Sequence, residues 1–424
     1  MTNNGAVSNT EHDPALLSPP WSFGGFTVGA GAVLKNFWRI GRHPWIGARL
    51  ARLEWARRFP LVHQAHADGR GGKIHQLSLR LTDRCNLRCR TCGQWGDHGF
   101  LHGQSLKSLK EREVPPARWL EVMTDLVSHG HRPIVYLWGG EPMLYEGVLD
   151  LIAGATEKRL PVSIATNGTR MAECAELFVK APLFLLQVSI DGHCADLHNR
   201  ARPAQGNGNS FDRILEGLAA VQEQRKARRS DLPLIASLTV ISSLNFRYLP
   251  DIYENLRSKV DLFVFYLSWW IDEEHARKHE EDFSRRFGSL PTKHWGWIGD
   301  WKPDDYKELS RHLQTLLTKS RRPSNPPVIL IPPILGSDSL KAYYTRHQSR
   351  FGSNRCTSIF MAAEVNSNGD VSPCRDYSDY VVGNIKEANL TELWNGEKYR
   401  FYRKSLTEQG LMPVCSRCCG LLGY

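Results

Sequence analysis

The sequence has no apolar run near the ~18 residues a membrane-spanning helix requires. Its start is polar and proline-bearing, without the charged opening, apolar middle and small-residue cleavage site of a secretory signal, so a cytoplasmic protein is expected. No internal repeats are visible. Zinc-finger spacing and the aromatic signature of RNA-binding domains are also missing. The net charge of +10 therefore reads as a solvated basic surface that favours anionic partners at long range, and no nucleic-acid partner is expected.

What the chain does have is clustered cysteine. Cys85, Cys89 and Cys92 form one group, Cys356, Cys374, Cys415, Cys418 and Cys419 a second, and Cys174 and Cys194 stand alone. In a reducing compartment thiols stay unpaired, so clusters of this kind point to metal or redox chemistry rather than to disulfides.

From Lys73 to Trp270 short β-rich runs alternate with helical patterns. Six strands are predicted, at 75–82, 133–140, 161–168, 184–191, 233–242 and 262–270. Most are near-continuous apolar runs, as in strands covered on both faces. Between the fourth and fifth lies SFDRILEGLAAVQEQRKA, with Phe211, Ile214, Leu215, Leu218 and Val221 at helical spacing. The fold class is α/β, a partial (β/α)6 TIM-type barrel over 73–270 with its chemistry at the carboxyl ends of the strands, followed by a small cysteine-rich domain over 350–424.

Two segments flank this core. Residues 1–72 form a basic, aromatic extension whose stretch 33–59 holds seven Lys or Arg and one acidic residue, Glu54. Such a stretch can touch an anionic membrane peripherally, but Pro44 and two glycines interrupt an amphipathic face, and packing on the barrel is the expected outcome. Residues 271–349, with Trp295, Trp297 and Trp301, read as a connecting element or a lid.

In LTDRCNLRCRTCGQW the first cysteine group has C-x3-C-x2-C spacing directly after the first strand. Three thiolates from one loop can ligate three irons of a [4Fe–4S] cluster and leave the fourth open, whereas structural zinc wants four closed ligands. The motif in this place closely resembles the radical S-adenosylmethionine (SAM) superfamily, in which the open iron binds the amino and carboxylate groups of SAM. The resemblance departs at Thr91, where an aromatic residue near the adenine is usual; Trp95 is a substitute by sequence nearness alone.

Three further elements lie at the predicted rim. WGGEP brings Gly139, Gly140, Glu141 and Pro142, TNG brings Thr166 and Asn167, and SIDG brings Ser189 and Asp191. As residue types these are glycines that admit a close approach and ordinary turn formers. The resemblance implies more: GGEP holds the SAM amino group, Ser189 approaches its ribose, and Arg202 grips its carboxylate in bidentate fashion, with Thr166, Asn167 and Asp191 at the same rim. Glu141 is expected to add charge to that pocket or to cap the next helix.

The C-terminal set reads C-x12-G-x4-C, then C-x2-C-C. An Asn-Gly turn at Asn368 and Gly369 predicts a hairpin returning Cys374 towards Cys356, and Asn389 opens a short helix. This stretch resembles the SPASM domain of radical SAM enzymes, including its VGNI and LTELW elements. Cys356, Cys374, Cys415 and Cys418 suffice for one auxiliary [4Fe–4S] cluster, with Cys419 interchangeable with Cys418, and the same four thiolates would also serve a zinc ribbon.

The resemblance implies an enzyme that reductively cleaves SAM and abstracts hydrogen from a substrate, with electrons from a flavodoxin or ferredoxin. Peptide or protein maturation is the first expectation, and a phosphate-bearing sugar, lipid or other small molecule the second. A non-enzymatic electron carrier would not need a SAM-shaped rim. Cys194 is a candidate hydrogen donor, although a lone cysteine is more often inert packing.

Overall fold

The computed structural model describes residues 22–23, 26–27, 41–58, 68–181, 183–206 and 208–422. Its centre is one ten-stranded sheet. Six parallel strands follow the sequence pattern: β1 (Gln76–Thr82), β2 (Ile134–Gly139), β3 (Val162–Thr166), β4 (Leu185–Ser189), β5 (Leu234–Ile241) and β6 (Leu262–Leu267). Strand β1 shows why they form a barrel wall. Leu77, Leu79 and Leu81 join the core that holds Trp119, Val122 and Met123 of the helix Pro116–Ser128, and alternation leaves Ser78, Arg80 and Thr82 on the inner face.

The intervening helices follow the same logic. Ser210–Ala227 begins where Asn209 accepts the Asp212 N–H, and it buries Phe211, Ile214, Leu218 and Val221. Fully burying each such side chain contributes about 1.5–3 kcal/mol.

The sheet extends beyond six strands on both sides. Strand β7 (Val328–Ile331) pairs parallel with β6. On the other side β8 (Ala362–Val365) pairs parallel with β1, Ala362 opposite Gln76 and Val365 opposite Leu79. Antiparallel β9 (Asp370–Ser372) and β10 (Gly383–Asn384) complete that edge. The cysteine-rich C-terminal region thus continues the barrel sheet. Its predicted hairpin is present, closed by a four-residue turn with Gly369 at φ 94°.

Residues 271–349 are ordered into the helices Glu273–Phe287, Tyr306–Ser320 and Ser337–Thr345, a 3-10 turn at Lys293–Trp297, and β7. Asp272 and Asp305 cap the first two helices by accepting N–H groups of His275 and Glu308, and Gly288 ends the first in the left-handed region at φ 69°.

Of the basic segment 33–59, residues 33–40 and 59 lie outside the described ones. The rest forms the helix Pro44–Arg58. Its Ile46 is buried among Phe184, Leu232 and Leu234, with Trp45 and Leu50 alongside. It docks beneath the amino ends of β4 and β5, opposite the Cys85 loop. Among the described residues no helix is long and apolar enough to cross a membrane.

Candidate functional site

Cys85, Cys89 and Cys92 lie in the loop leaving the carboxyl end of β1. The loop winds through tight turns, the Cys92 N–H reaching Cys89 O at 3.1 Å and the Gly96 N–H reaching Cys92 O at 2.8 Å. It has its own core of Leu87, Trp95, Leu101 and Leu109. Trp95 is buried there, its indole N–H donating to Asp83 O at 2.7 Å and the Arg88 guanidinium 4.0 Å from its ring. It is the plug of the loop and offers no open face for stacking.

The thiols are buried beside polar groups. Leu87 N–H points at Cys85 Sγ from 3.4 Å, and Arg202 Nη1 lies 3.6 Å from Cys89 Sγ. Burial, and then the neighbouring charge of Cys89 and Glu141, drives the Cys85 thiol far above its ordinary range. Burial likewise pushes Cys89 up to about 11, against the pull of Arg202.

The GGEP glycines are demanded by protein backbone. A Cβ on Gly139 would stand 2.3 Å from Thr82 O, and one on Gly140 2.2 Å from Arg84 O. Their N-terminal neighbour strand is therefore pressed against the root of the cysteine loop, with Gly140 N–H donating to Thr82 O and Glu141 N–H to Arg84 O. Glu141 is fully buried, and its carboxylate accepts from Met143 N–H at 3.0 Å, Thr166 Oγ1 at 2.7 Å and Asn167 N–H at 2.7 Å. Burial raises its pKa while these three bonds oppose the rise. Glu141 caps the turn Pro142–Leu144 and ties GGEP to TNG.

Asn167 carries the tie onward. Its Nδ2 donates to Asn86 Oδ1 at 2.8 Å and its Oδ1 accepts from Thr169 Oγ1 at 2.8 Å, while Asn86 Nδ2 donates to Thr169 Oγ1 at 3.0 Å. On the other flank Arg84 grips Glu113 at 2.8 and 3.1 Å, and Thr82 Oγ1 also donates to Glu113. Asn86, Thr169, Arg84 and Glu113 were not singled out from sequence. Asn and Thr beside glycine read as turn formers, and nothing local marks a partner dozens of residues away.

Asp191 is buried at the end of SIDG, its Oδ2 accepting from Arg202 Nε at 2.7 Å and its Oδ1 from Val240 N–H at 2.8 Å. Burial works against the Arg202 charge, but Asp191 and Cys89 outweigh it and hold the guanidinium protonated. Arg202 thus sits between SIDG and the cysteine loop, with Nε committed to Asp191. Ser189 ends β4 at the same rim, half-buried. Cys194 caps the short helix Ala195–Ala201 beside His193, whose ring lies 5.3 Å from that of Tyr248. No described contact joins it to the cysteine loop.

The second set converges in another core. Cys356, Cys374, Cys415 and Cys418 all pack against the cluster containing Phe360, Tyr377 and Tyr402. The buried Tyr402 hydroxyl is pushed well up by burial and further by all four thiols, so it lies within electrostatic reach of each. Burial also drives Cys374 far up and Cys415 up to about 12. Cys418 Sγ donates to Asp376 Oδ2 at 3.5 Å, and the side chain of Cys419 lies outside the described ones.

The turn Lys293–Trp297 joins the two sets. A Cβ on Gly93, next to Cys92, would stand 2.5 Å from the Trp297 ring, and Trp297 Nε1 donates to Asp376 O at 3.3 Å. By contrast, the cleft lined by Lys226, Arg229 and Arg257 opens at the amino ends of β6 and β7, the opposite end from the Cys85 loop.

A parallel β/α sheet, a three-thiol loop at the carboxyl end of its first strand and a four-thiol annex on the same sheet define an iron–sulfur protein of the partial-barrel class. The radical SAM superfamily profile matches residues 79–254, and that of an iron–sulfur cluster-binding domain, SPASM, matches 356–419. The chain carries a radical SAM domain and a C-terminal SPASM domain. It is 24% identical to the AdoMet-dependent heme synthase of Methanosarcina barkeri over 80% of this chain and 87% of that protein. It is also 24% identical to the sporulation killing factor maturation protein SkfB of Bacillus subtilis, over 74% of this chain and 63% of that one, less than two thirds of SkfB's length. In fold it is similar to SuiB of Streptococcus suis bound to SAM, with TM-score 0.55 and 15% identity over 79% of this chain and 68% of that chain.

The radical SAM domain binds a [4Fe–4S] cluster and SAM, and the SPASM domain adds an iron–sulfur site. The residues present fit these groups. The candidate ligands of both sets are thiols, with the Asp376 carboxylate beside Cys418 in the second, and the thiols of the first oppose one another's ionisation. A positively charged cluster would relieve that repulsion. Among the described residues no three His, Cys, Asp or Glu side chains are drawn together as they would be on a single ion.

Proposed function

We propose that this chain is a radical SAM enzyme of peptide or protein maturation, with Cys85, Cys89 and Cys92 holding the SAM-binding cluster and Cys356, Cys374, Cys415 and Cys418 an auxiliary one. When bound, the cluster and SAM supply a one-electron reductive cleavage that delivers a carbon-centred radical to the substrate. The chain's own residues position and shield that event. Arg202, held charged by Asp191 and lying beside Cys89, would grip the SAM carboxylate through its remaining nitrogens, a role its two contacts support. The GGEP turn presents carbonyls to an ammonium group, and Glu141 and Asn167 keep that turn and the cysteine loop in register.

The observation that carries the reading is the Lys293–Trp297 turn, wedged between Gly93 and Asp376. It packs against the segments that carry both cysteine sets, which helps shield a radical site from water. The peptide substrate rests on likeness to SkfB, a maturation protein, and to SuiB, also solved with its precursor peptide SuiA. A small-molecule substrate is the second reading, favoured by the broad coverage of the heme synthase. A flavodoxin or ferredoxin is the proposed electron donor, suited by the basic surface. The domain limits 73–270 and 350–424 are part of the same proposal.

The test is anaerobic reconstitution with a strong reductant. Wild type should form 5′-deoxyadenosine and methionine slowly without substrate, and faster with the true one. An iron-loaded wild type that forms neither would overturn the assignment.

A further inference from the structure

The inner face of the sheet is divided. Across β5, β6 and β7 it is apolar, with Leu238, Val264, Ile329 and Ile331 packed together. Across β8, β1 and β2 it is polar and unsatisfied. Glu364 stands opposite Ser78 in the ladder, Ser78 opposite Tyr136, and Arg80 opposite Trp138, so these side chains share one face at successive levels. Glu364 Oε2, Arg80 Nε and Trp138 Nε1 have no hydrogen-bond partner, Ser78 Oγ lies within reach of the Glu364 carboxyl group, and Glu364, Ser78 and Arg80 are only 6%, 0% and 4% exposed.

Leaving one buried polar group unpaired costs about 1–3 kcal/mol, and a protein tolerates a row of them where a ligand completes the bonds. The row lies between the cysteine sets. Arg80 pairs with Asp83 at 2.6 Å, two residues before Cys85, while Arg375, adjoining Cys374, lies 5.8 and 5.9 Å from the Tyr136 and Trp138 rings.

An acceptor oxygen beside two N–H donors is the complement of an amide, which offers one N–H and one C=O. Resting on the peptide reading above, we propose that Glu364, Ser78, Arg80 and Trp138 form a substrate subsite that binds a backbone amide, with the adjoining side chain directed to the apolar half of the barrel. Glu364 accepts the amide N–H, and Arg80 Nε and Trp138 Nε1 donate to its carbonyl. An apolar residue is therefore the preferred target, and a phosphate-bearing sugar has no counterpart for the apolar half.

The probe is N-acetyl-leucine N-methylamide, measured by anaerobic equilibrium dialysis against cluster-loaded, SAM-saturated protein, with glucose 6-phosphate as the comparison ligand. Saturable binding of the amide is expected, weakened about tenfold, the worth of one buried hydrogen bond, in Trp138→Phe. Glu364→Leu, which removes the acceptor, should weaken it at least as much, and Glu364→Gln, which keeps a carbonyl oxygen, less. Iron content equal to wild type checks folding. If wild type takes up the amide and all variants match it, the subsite is wrong and the peptide reading stands. If wild type binds glucose 6-phosphate and not the amide, the peptide reading fails and the subsite with it.

Discussion

The two cysteine sites are built on opposite principles. Around Cys85, Cys89 and Cys92 the supports are polar: the Arg84–Glu113 pair, the Asn86–Asn167–Thr169 triangle and the Asp191–Arg202 pair. One cation, Arg202, points at a thiol. Around Cys356, Cys374, Cys415 and Cys418 the supports are largely aromatic, and two buried arginines beside them are committed mainly to backbone. Arg403 donates to Ile359 O, Gly69 O and Trp394 O, and Arg417 to Tyr343 O, Ser349 O and Arg346 O. A polar cage leaves groups to meet a charged small molecule, whereas an aromatic one closes a site. The difference is that expected between a cluster with an open iron and one fully ligated by protein.

The largest expected effect breaks that contrast by deletion. Replacing Cys85, Cys89 and Cys92 together should abolish SAM cleavage and leave about four irons per chain, against about eight in wild type. Replacing Cys356 and Cys374 should also leave about four irons, yet uncoupled SAM cleavage should persist while substrate turnover is lost. Iron assay with product quantification separates the two. A triple variant with one zinc and no iron would make the second site a zinc ribbon.

Next come the two kinds of arginine. Arg202→Ala should weaken SAM binding by about 2–4 kcal/mol in calorimetric titration of cluster-loaded protein. Arg403→Met should instead lower unfolding stability by about 2–4 kcal/mol, through the carbonyls it leaves unpaired, with SAM affinity unaltered. Reversed results would mean that the polar cage is structural and the aromatic one functional.

The smallest effect is an acid sensitivity common to both regions. His198, whose Nδ1 accepts the Asp191 N–H, is held neutral down to about 3 by burial and by Arg202. His279, beside Tyr377, is likewise depressed to about 3 by burial and by His294. Unfolded, each titrates near its ordinary value of 6.5. Below that value the unfolded chain binds more protons, so stability should be full above it and fall as pH drops towards about 3. Denaturant titrations at successive pH values check this, and His198→Gln should flatten the slope.

Much of the frame was legible in the sequence. Apolar runs placed β1 to β6 within a few residues at each end, because strands covered on both faces cannot disguise themselves. Cysteine spacing marked both groups of thiols, and the Asn368–Gly369 turn marked the hairpin between Cys356 and Cys374. Strand β7 escaped because its four apolar residues sit between proline pairs in PPVILIPP, which reads as a loop. The braces of the first site escaped for a different reason. Asn86, Thr169 and Glu113 acquire meaning only through partners far along the chain, and Glu364 looks like the polar half of an ordinary alternating strand. The GGEP glycines were read as room for a ligand, and the fold also requires them where β2 meets the root of the cysteine loop.

The pairing of β8 with β1 bears on how the protein is made. The strand that launches the Cys85 loop receives one neighbour, β2, early in synthesis and the other only when residues 362–365 have emerged. At about 5–20 residues per second, the interval is on the order of tens of seconds, during which β1 presents an unpaired parallel edge. The loop meanwhile lacks the contact between Ser367 Oγ and Asp83 that anchors its root. Iron delivered before residues 362–367 have emerged would meet a half-built cage. Chains truncated before β8 should aggregate through that edge rather than persist as isolated barrels.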